Sequence, residues 1–395
     1  MRHTVPKGFC ALLLLLLSSS GFGWAKDRIV AIGDVHGSYP QFVSILRRVG
    51  LIDDRRQWIG GSAVLVQIGD VPSRGTRTRD CLDLLMDLEE QAKKQKGRVI
   101  PLLGNHETMV MTGDVRYMRP EDLRTFATEH SETVREQAFE EYKAYLAGRL
   151  QRRGASLTRA EVDRKKWMEE HPLGFFEFRD AFGPRSKYGR WWRQHDALAQ
   201  VNGVLFLHGG LSPDLQFQDI GELNKRVRSE LALFDSLWES LSRRGIIWRY
   251  MRQEEAWRAV QEEWEARDPL KREGDADEEQ ELRALLSFPG WLIASPQGPL
   301  WYRGYAMEPE EKLAPTIEAH LSRLKVQRIV AAHTITDSRR IISRFQNRVF
   351  LIDTAMMLEE KGQGRTSALE INSGSFTAYY SSGEKVRLLS ARDTP

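Results

Sequence analysis

The apolar residues of this chain fall first into four short runs, each of which ends at glycine or beside it. These runs occupy Arg28–Ile32, Ala63–Ile68, Arg98–Leu103 and Val204–Leu207. Short, continuous apolar runs are typical of strands that are buried on both faces. Between the first three runs, apolar residues recur at helical spacing, at Phe42, Ile45, Leu46 and Val49 and again at Leu82, Leu84, Leu85 and Leu88. This alternation predicts parallel strands with crossover helices, and places any chemistry at their carboxyl ends.

Two charged helical segments interrupt the alternation. The first spans about residues 117–193 and carries an apolar stripe at Phe139, Tyr142, Tyr145 and Leu146. The second spans about residues 220–286, where Leu223, Val227, Leu231, Phe234, Leu237, Trp238 and Leu241 fit one helical face. Because both segments are inserted between motif-bearing runs, we expect them to form a cap beside a functional site.

Strand patterns return in the carboxyl-terminal part of the chain. They lie at Arg328–Ala332, Val349–Ile352, Ser367–Ile371, Phe376–Tyr380 and Val386–Leu389. The turn sequences Asn372-Ser373-Gly374 and Ser382-Gly383 separate the last three and favour an antiparallel meander. We expect these strands to give a second sheet packed against the first. The fold class is therefore α/β with α+β elements.

The composition indicates a soluble globular protein, since 41% of the 395 residues are hydrophobic and 29% are charged. The formal net charge of +3 is small. It argues against a polybasic surface, and no nucleic-acid-binding motif is present. We therefore expect no nucleic-acid partner.

The first 25 residues have the pattern of a signal peptide. Arg2, His3 and Lys7 precede the apolar run Ala11–Leu17, and small residues follow. That run is far shorter than the ~20 residues of a membrane-spanning helix. We predict a leader over residues 1–25, a secreted or periplasmic catalytic domain over 26–395, and no stable membrane association after cleavage. A buried core helix or an uncleaved anchor is the alternative.

Potential metal ligands follow the apolar runs. The blocks are Gly33-Asp34-Val35-His36-Gly37, Gly69-Asp70, Gly104-Asn105-His106-Glu107 and His208-Gly209-Gly210, followed later by His333. Asp34 and His36 stand two residues apart in a glycine-framed turn, so both can reach one ion. Asp70 is the candidate bridge, and Asn105, His208 and His333 would complete a second ion.

This ligand set predicts a dinuclear metal site. A bridging carboxylate holds two ions about 3.5–4 Å apart, with a hydroxide between them that can attack phosphorus. Oxygen and imidazole ligands together suit manganese, with iron or zinc as alternatives, better than an all-oxygen magnesium site. The chain is therefore predicted to be a metal-dependent phosphoesterase.

The motif blocks resemble those of the calcineurin-like metallophosphoesterases, in the phosphoprotein phosphatase branch. Gly33–Gly37, Gly104–Glu107 and His208–Leu215 match that branch. Within it the resemblance is to the bacterial Shewanella-like phosphatases, through the segments Tyr188-Gly189-Arg190-Trp191, Trp301-Tyr302-Arg303-Gly304-Tyr305 and Leu351-Ile352-Asp353-Thr354. The resemblance implies a four-layer β-sandwich flanked by helices.

The resemblance also implies roles for individual residues. Asp34, His36 and Asp70 would bind one metal, and Asp70, Asn105, His208 and His333 the other. His106 would be the general acid that protonates the leaving oxygen. Arg74 would hold the phosphate, with Arg303 as a second clamp, because a guanidinium group matches phosphate oxygens.

One position departs from the family pattern Gly-Asp-x-x-Asp-Arg-Gly. Here Ser73 stands where a carboxylate normally orients the catalytic histidine and stabilises its cation. Its loss should lower the pKa of His106 and loosen the orientation of the ring. Ala332 in place of the usual glycine before His333 is a milder change.

The predicted activity is hydrolysis of a phosphorylated protein or a small phosphomonoester. Aryl phosphates, including phosphotyrosine, are favoured over serine and threonine phosphates because their leaving group needs less acid assistance. A diadenosine-tetraphosphate-type pyrophosphohydrolase uses similar blocks and is one alternative. A degenerate, non-catalytic scaffold is another, and a cap that docks a protein partner is a third possibility.

Overall fold

A computed structural model of the chain describes residues 28–152, 162–266 and 276–391. The predicted leader over residues 1–25 lies outside this range. The described residues form eleven strands: β1 (Ile29–Ile32), β2 (Val64–Gln67), β3 (Arg98–Pro101), β4 (Leu198–Val201), β5 (Val204–Leu207), β6 (Arg328–Ala331), β7 (Ile342–Arg344), β8 (Val349–Leu351), β9 (Ser367–Asn372), β10 (Ser375–Tyr380) and β11 (Lys385–Leu389).

Helices surround these strands. In the described ranges they are α1 (Tyr39–Arg48), α2 (Thr78–Lys94), α3 (Asn105–Met111), α4 (Pro120–Arg124), α5 (Ser131–Arg152), α6 (Arg164–Glu170), α7 (Phe175–Ala181), α8 (Lys187–Trp192), α9 (Ile220–Arg243), α10 (Gln253–Glu265), α11 (Ala276–Leu286), α12 (Gly304–Met307) and α13 (Glu310–Leu324). Short 3-10 helices occupy Phe288–Gly290 and Met356–Lys361. None of these helices is long and apolar enough to span a bilayer.

The predicted parallel core is confirmed. Strands β1, β2 and β3 pair in parallel, and so do β5, β6 and β8. The two sets belong to different sheets, with the orders β11-β10-β9-β1-β2-β3 and β4-β5-β6-β8-β7. Within each sheet, the carboxyl ends of its three parallel strands therefore lie at one edge.

We expected all the carboxyl-terminal strands to form the second sheet. For the last three strands, β9, β10 and β11, this expectation was wrong. Strands β9–β11 are antiparallel as predicted, but β9 pairs with β1, with Ile29 opposite Ile371. The meander thus extends the first sheet and satisfies the backbone groups on the free edge of β1. The second sheet instead contains β5, β6 and β8, together with the edge strands β4 and β7, which were not predicted. Because β7 has three residues, all of them half-buried, it carries no apolar signal.

The sandwich has four layers, as predicted. Alternate residues such as Val64 and Val66 of β2 and Phe206 of β5 belong to the apolar core between the sheets. The residues between them, such as Leu65 and Leu205, belong to the core under the helices. Burial on both faces explains why these strands read as continuous apolar runs.

The described residues of both insertions are mainly helical, as predicted. Helices α4–α8 lie in the first insertion, and α9–α11 span the second from Ile220 to Leu286. The face predicted for α9 is buried at Leu223, Val227, Leu231, Phe234, Leu237 and Leu241. In the first insertion Phe139 is buried, and its ring lies 5.0 Å from that of Trp167.

The two sheets meet at a stacked aromatic pair. The rings of Phe350 on β8 and Phe376 on β10 lie 4.4 Å apart and nearly parallel, and both are fully buried. We predict that Phe350→Ala lowers the free energy of unfolding by about 3–5 kcal/mol through the cavity it leaves. Denaturant unfolding measures this. Ile59→Ala is the control, because Ile59 is 55% exposed; an equal loss in both variants would contradict an inter-sheet role.

Candidate dinuclear metal site

The sequence-predicted ligands come together at the carboxyl ends of the parallel strands. Asp34, Asp70 and Asn105 follow β1, β2 and β3, while His208 and His333 follow β5 and β6. All five side chains are buried, with at most 6% of their surface exposed. Both sheets therefore contribute to the site, through segments far apart in the chain.

Three of these residues sit in left-handed turns. The φ angles of His36, Asp70 and His333 are 48°, 56° and 66°, a region that non-glycine residues rarely adopt. Hydrogen bonds hold the turns in place: the amide of His36 donates to the Asp70 carbonyl at 2.9 Å, and that of His333 to Asp34 Oδ1 at 3.1 Å. Such strained backbone is concentrated at functional sites.

Glu107 fastens two of the ligand-bearing loops together. Its buried carboxylate accepts the amides of Asp70, Val71 and Gly104 at 2.7–2.8 Å. Burial and the nearby Asp70 charge raise the pKa of Glu107 to about 7. A Cβ at Gly104 would lie 2.4 Å from Asp70 Oδ1, so only glycine permits this approach. The Gly-Asn-His-Glu block thus positions Asp70 as well as supplying ligands.

One group of ligand atoms surrounds His208. Its Nε2 atom lies 3.2 Å from Asp70 Oδ1, 2.9 Å from Asn105 Oδ1 and 3.1 Å from His333 Nδ1. A second group surrounds His36, whose Nε2 atom lies 3.5 Å from Asp34 Oδ2 and 3.7 Å from Asp70 Oδ2. Asp70 belongs to both, with one carboxylate oxygen facing each.

The residues fit a pair of cations. His36 and His208 donate Nδ1–H to the carbonyls of Pro72 and Ile68 at 3.2 and 2.8 Å, which leaves each Nε2 free to bind metal. His333 places Nε2 3.1 Å from the Trp301 carbonyl and turns Nδ1 inward. This fixing of one ring nitrogen by an outer hydrogen bond is typical of metal-binding histidines. When the outer nitrogens, His208 Nδ1 and His333 Nε2, carry the protons, the lone pairs of His208 Nε2 and His333 Nδ1 face each other. These lone pairs repel each other unless a cation lies between them.

The electrostatics of the protein alone agree with this fit. Burial opposes ionisation of Asp70, but His208 and His106 hold its pKa well below the usual value. Burial would likewise lower the pKa of His208, yet the Asp70 carboxylate raises it to about 10. Burial and the neighbouring His208 lower the pKa of His333 to about 3. In the protein alone, a proton on His208 supplies positive charge beside the carboxylates. A bound metal ion would supply that charge instead.

The predicted catalytic residues line the same cavity, whose volume is about 360 Å³. The His106 ring lies 4.6 Å from that of His36, and the Arg74 Nε–H donates to His106 Nε2 at 3.4 Å. Arg303 donates to the His333 carbonyl at 3.0 Å and to Thr334 Oγ1 at 3.2 Å, and it forms no ion pair within the described residues. Both guanidinium groups are therefore available to an anion.

Replacement of the usual carboxylate by Ser73 leaves His106 without an outer partner. Its buried Nδ1 atom has no hydrogen-bond partner, and the Ser73 hydroxyl turns to Met118 Sδ at 3.4 Å. Burial lowers the pKa of His106 to about 3, assisted by His36 and Arg74 and opposed by Asp70. A lowered pKa of His106 is the direction expected from the sequence. Its largest cause, however, is burial of the ring.

Several residues that line the cavity were not predicted as site residues, among them Asp353, Trp301 and Tyr117. Asp353 follows β8 and is buried, and burial together with Asp34 raises its pKa to about 8. Its position after a parallel strand is the same signal that marked the predicted metal ligands. Trp301 and Tyr117 form parts of the rim. From the first predicted insertion, Tyr117 lines this cavity. From the second, Gln253, Glu254 and Trp257 line a neighbouring groove instead.

Family comparison agrees with this arrangement. Residues 27–337 match the calcineurin-like phosphoesterases. The chain belongs to this family. Members of this family are hydrolases that use two divalent metals. The predicted family resemblance is confirmed.

Its relatives include proteins named Shewanella-like protein phosphatases. The chain is 25% identical to phosphatase 1 of Plasmodium berghei, over 56% of this chain and 51% of that protein. It is 29% identical to phosphatase 2 of Arabidopsis thaliana, over 51% of each. It thus spans about half the length of these relatives. An uncharacterized Schizosaccharomyces pombe protein is 27% identical over 85% of this chain and 75% of its own.

A solved structure has the same fold. The cold-active protein-tyrosine phosphatase of a psychrophilic Shewanella species superposes with a TM-score of 0.57 and 22% identity. The superposition covers 92% of this chain and 80% of that one.

The shared position of Asp70 predicts that its loss removes both ions. We expect manganese-loaded Asp70→Asn to bind far less metal than the two ions per chain expected for the parent, because Asp70 is the carboxylate shared by the two groups of ligand atoms found among the described residues. Elemental analysis of purified protein measures this. Asp54→Asn is the matched control, since the Asp54 side chain is 99% exposed. Full metal content in Asp70→Asn would contradict the bridging role.

Restoring the missing carboxylate should change acid catalysis. In Ser73→Asp, a negative charge near His106 is expected to raise the pKa of that ring and orient it. Turnover should then rise more for alkyl than for aryl phosphates, because alkyl leaving groups need the proton more. Ser73→Asn provides similar volume without charge. Equal changes for both substrate classes in Ser73→Asp would reject this explanation.

Proposed function

We propose that this chain is a dinuclear-metal phosphomonoesterase that acts on phosphorylated proteins, with phosphotyrosine favoured and serine or threonine phosphates possible. The observation that supports this proposal is the position of Asp70 between two ligand groups, beside Arg74 and His106 in one cavity. The family membership supports phosphoester hydrolysis. The names of the relatives support a phosphoprotein substrate.

In the proposed site, Asp34, His36 and Asp70 hold one ion, and Asp70, Asn105, His208 and His333 hold the other. When bound, such ions neutralise phosphoryl oxygens and lower the pKa of the attacking water. Manganese is the proposed metal because the ligand set mixes hard oxygens with imidazole.

The chain's own groups then bind the phosphoryl group and handle a proton. Arg74 and Arg303 both line the cavity and orient the phosphoryl oxygens through charge-assisted hydrogen bonds. His106 delivers a proton to the leaving oxygen. Because its pKa is about 3, little of it is protonated near neutral pH, so leaving groups that depart without protonation react best. Aryl phosphates have such leaving groups, and this favours phosphotyrosine.

The location and the domain limits remain proposals from the sequence. Residues 1–25 are proposed to direct export to the periplasm or the exterior, where phosphoprotein or another phosphomonoester is hydrolysed by a domain spanning 26–395.

A substrate screen tests the activity. Metal-depleted protein, with and without added manganese, is assayed on a phosphotyrosine peptide, the matched phosphoserine peptide and a dinucleoside tetraphosphate. We expect manganese-dependent activity, highest on phosphotyrosine and lowest on the dinucleotide. Arg74→Lys is expected to reduce phosphopeptide turnover by about tenfold or more, because the bidentate contact is lost. Preferential cleavage of the dinucleotide, or no activity in the metal-loaded parent, would overturn the proposal.

A further inference from the structure

Tyr117 is an aromatic residue that the fold leaves partly uncovered at the catalytic cavity. It lines that cavity and keeps 40% of its surface exposed. Its neighbours in the cavity, Asp70, Asn105 and His106, are at most 2% exposed. The ring therefore presents apolar surface to whatever enters beside the buried polar groups.

Tyr117 is held firmly against two of the proposed catalytic groups. The Arg74 guanidinium lies 4.6 Å from the centre of its ring, and the Tyr117 carbonyl accepts the Arg74 amide at 2.8 Å. The His106 ring lies 5.2 Å away, tilted by 32°. These contacts place Tyr117 on the side of the cavity from which His106 would act.

This arrangement determines where the leaving group of a phosphomonoester would lie, provided that the proposed function holds. In phosphoryl transfer the attacking and leaving oxygens are roughly in line across phosphorus. A general acid must lie within hydrogen-bond reach of the leaving oxygen. The group attached to that oxygen consequently extends from the His106 side, next to Tyr117.

We infer that Tyr117 forms one wall of the leaving-group subsite and selects aryl over alkyl phosphates. Contact between aromatic rings stabilises a bound aryl group through buried area and favourable ring geometry, whereas the short side chain of phosphoserine offers little surface to contact. Tyr117 would thus recognise the shape of an aryl leaving group.

A purely structural role for Tyr117, as a support for Arg74, makes a different prediction. Loss of that support would weaken every ligand that carries a phosphoryl group, including inorganic phosphate. Loss of a leaving-group contact would weaken only ligands that carry an aryl group. Inorganic phosphate, as an inhibitor, therefore separates the two roles.

The test compares Tyr117→Ala and Tyr117→Phe with the parent in the manganese-loaded protein. Matched phosphotyrosine and phosphoserine peptides give kcat/KM, and inorganic phosphate gives an inhibition constant. In Tyr117→Ala we expect kcat/KM for phosphotyrosine to fall about three- to tenfold and that for phosphoserine by at most about twofold. Phosphate inhibition should shift by less than about twofold, and Tyr117→Phe should stay close to the parent because it keeps the ring.

Tyr379→Ala serves as the matched control, because Tyr379 also packs against a cation, Lys385 at 4.7 Å, but does not line the cavity. An unchanged ratio of phosphotyrosine to phosphoserine activity in Tyr117→Ala would overturn the inference. If the parent hydrolyses neither peptide, the proposed function fails instead, so the two failures are distinguishable.

Discussion

The carboxylate of Asp70 is the point on which the arrangement of the site depends. It follows β2, and its two oxygens face imidazoles from opposite sides, His36 of the first sheet and His208 of the second. A carboxylate can bridge two ligand groups only if both sheets deliver their strand ends to the same edge. Hydrogen bonds across the sandwich fix that alignment, from His208 to the Ile68 carbonyl and from the His333 amide to Asp34.

This concentration of buried charge has a physical cost that the fold offsets locally. Burial and the Asp70 charge oppose ionisation of Asp34, yet His36 and His208 hold the pKa of Asp34 below its usual value. Within the protein, the imidazoles offset this cost together with the backbone amides of His106 and His333, which donate to the carboxylates of Asp70 and Asp34. Because isolated buried charges are strongly unfavourable, a pair of divalent ions is the most direct way to satisfy both carboxylates. The site is thus a rigid cage of ligands whose electrostatics suit cations.

The groups around the cage determine how a substrate would be handled. Arg74 contacts both His106 and Tyr117, so the phosphate-holding group, the acid and the rim form one packed unit. Ser73 leaves the acid without a carboxylate, and the Nδ1 atom of His106 without a partner. Weak acid assistance by His106 and the aromatic ring of Tyr117 both favour aryl leaving groups. The two effects arise from different parts of the sequence.

The sequence determined the parallel strands, the helical insertions and the ligand residues, because continuous apolar runs and glycine-framed polar blocks are local signals. It did not reveal that β9 pairs with β1, since pairing depends on which sheet edge remains open and not on the strand's own pattern. Nor did it assign a role in the site to Asp353, Tyr117 or Glu107, whose importance comes from contacts with segments distant in the chain. The residue types came from the sequence, and the tertiary structure decided which of them share a cavity, because only packing of the two sheets brings their strand ends together.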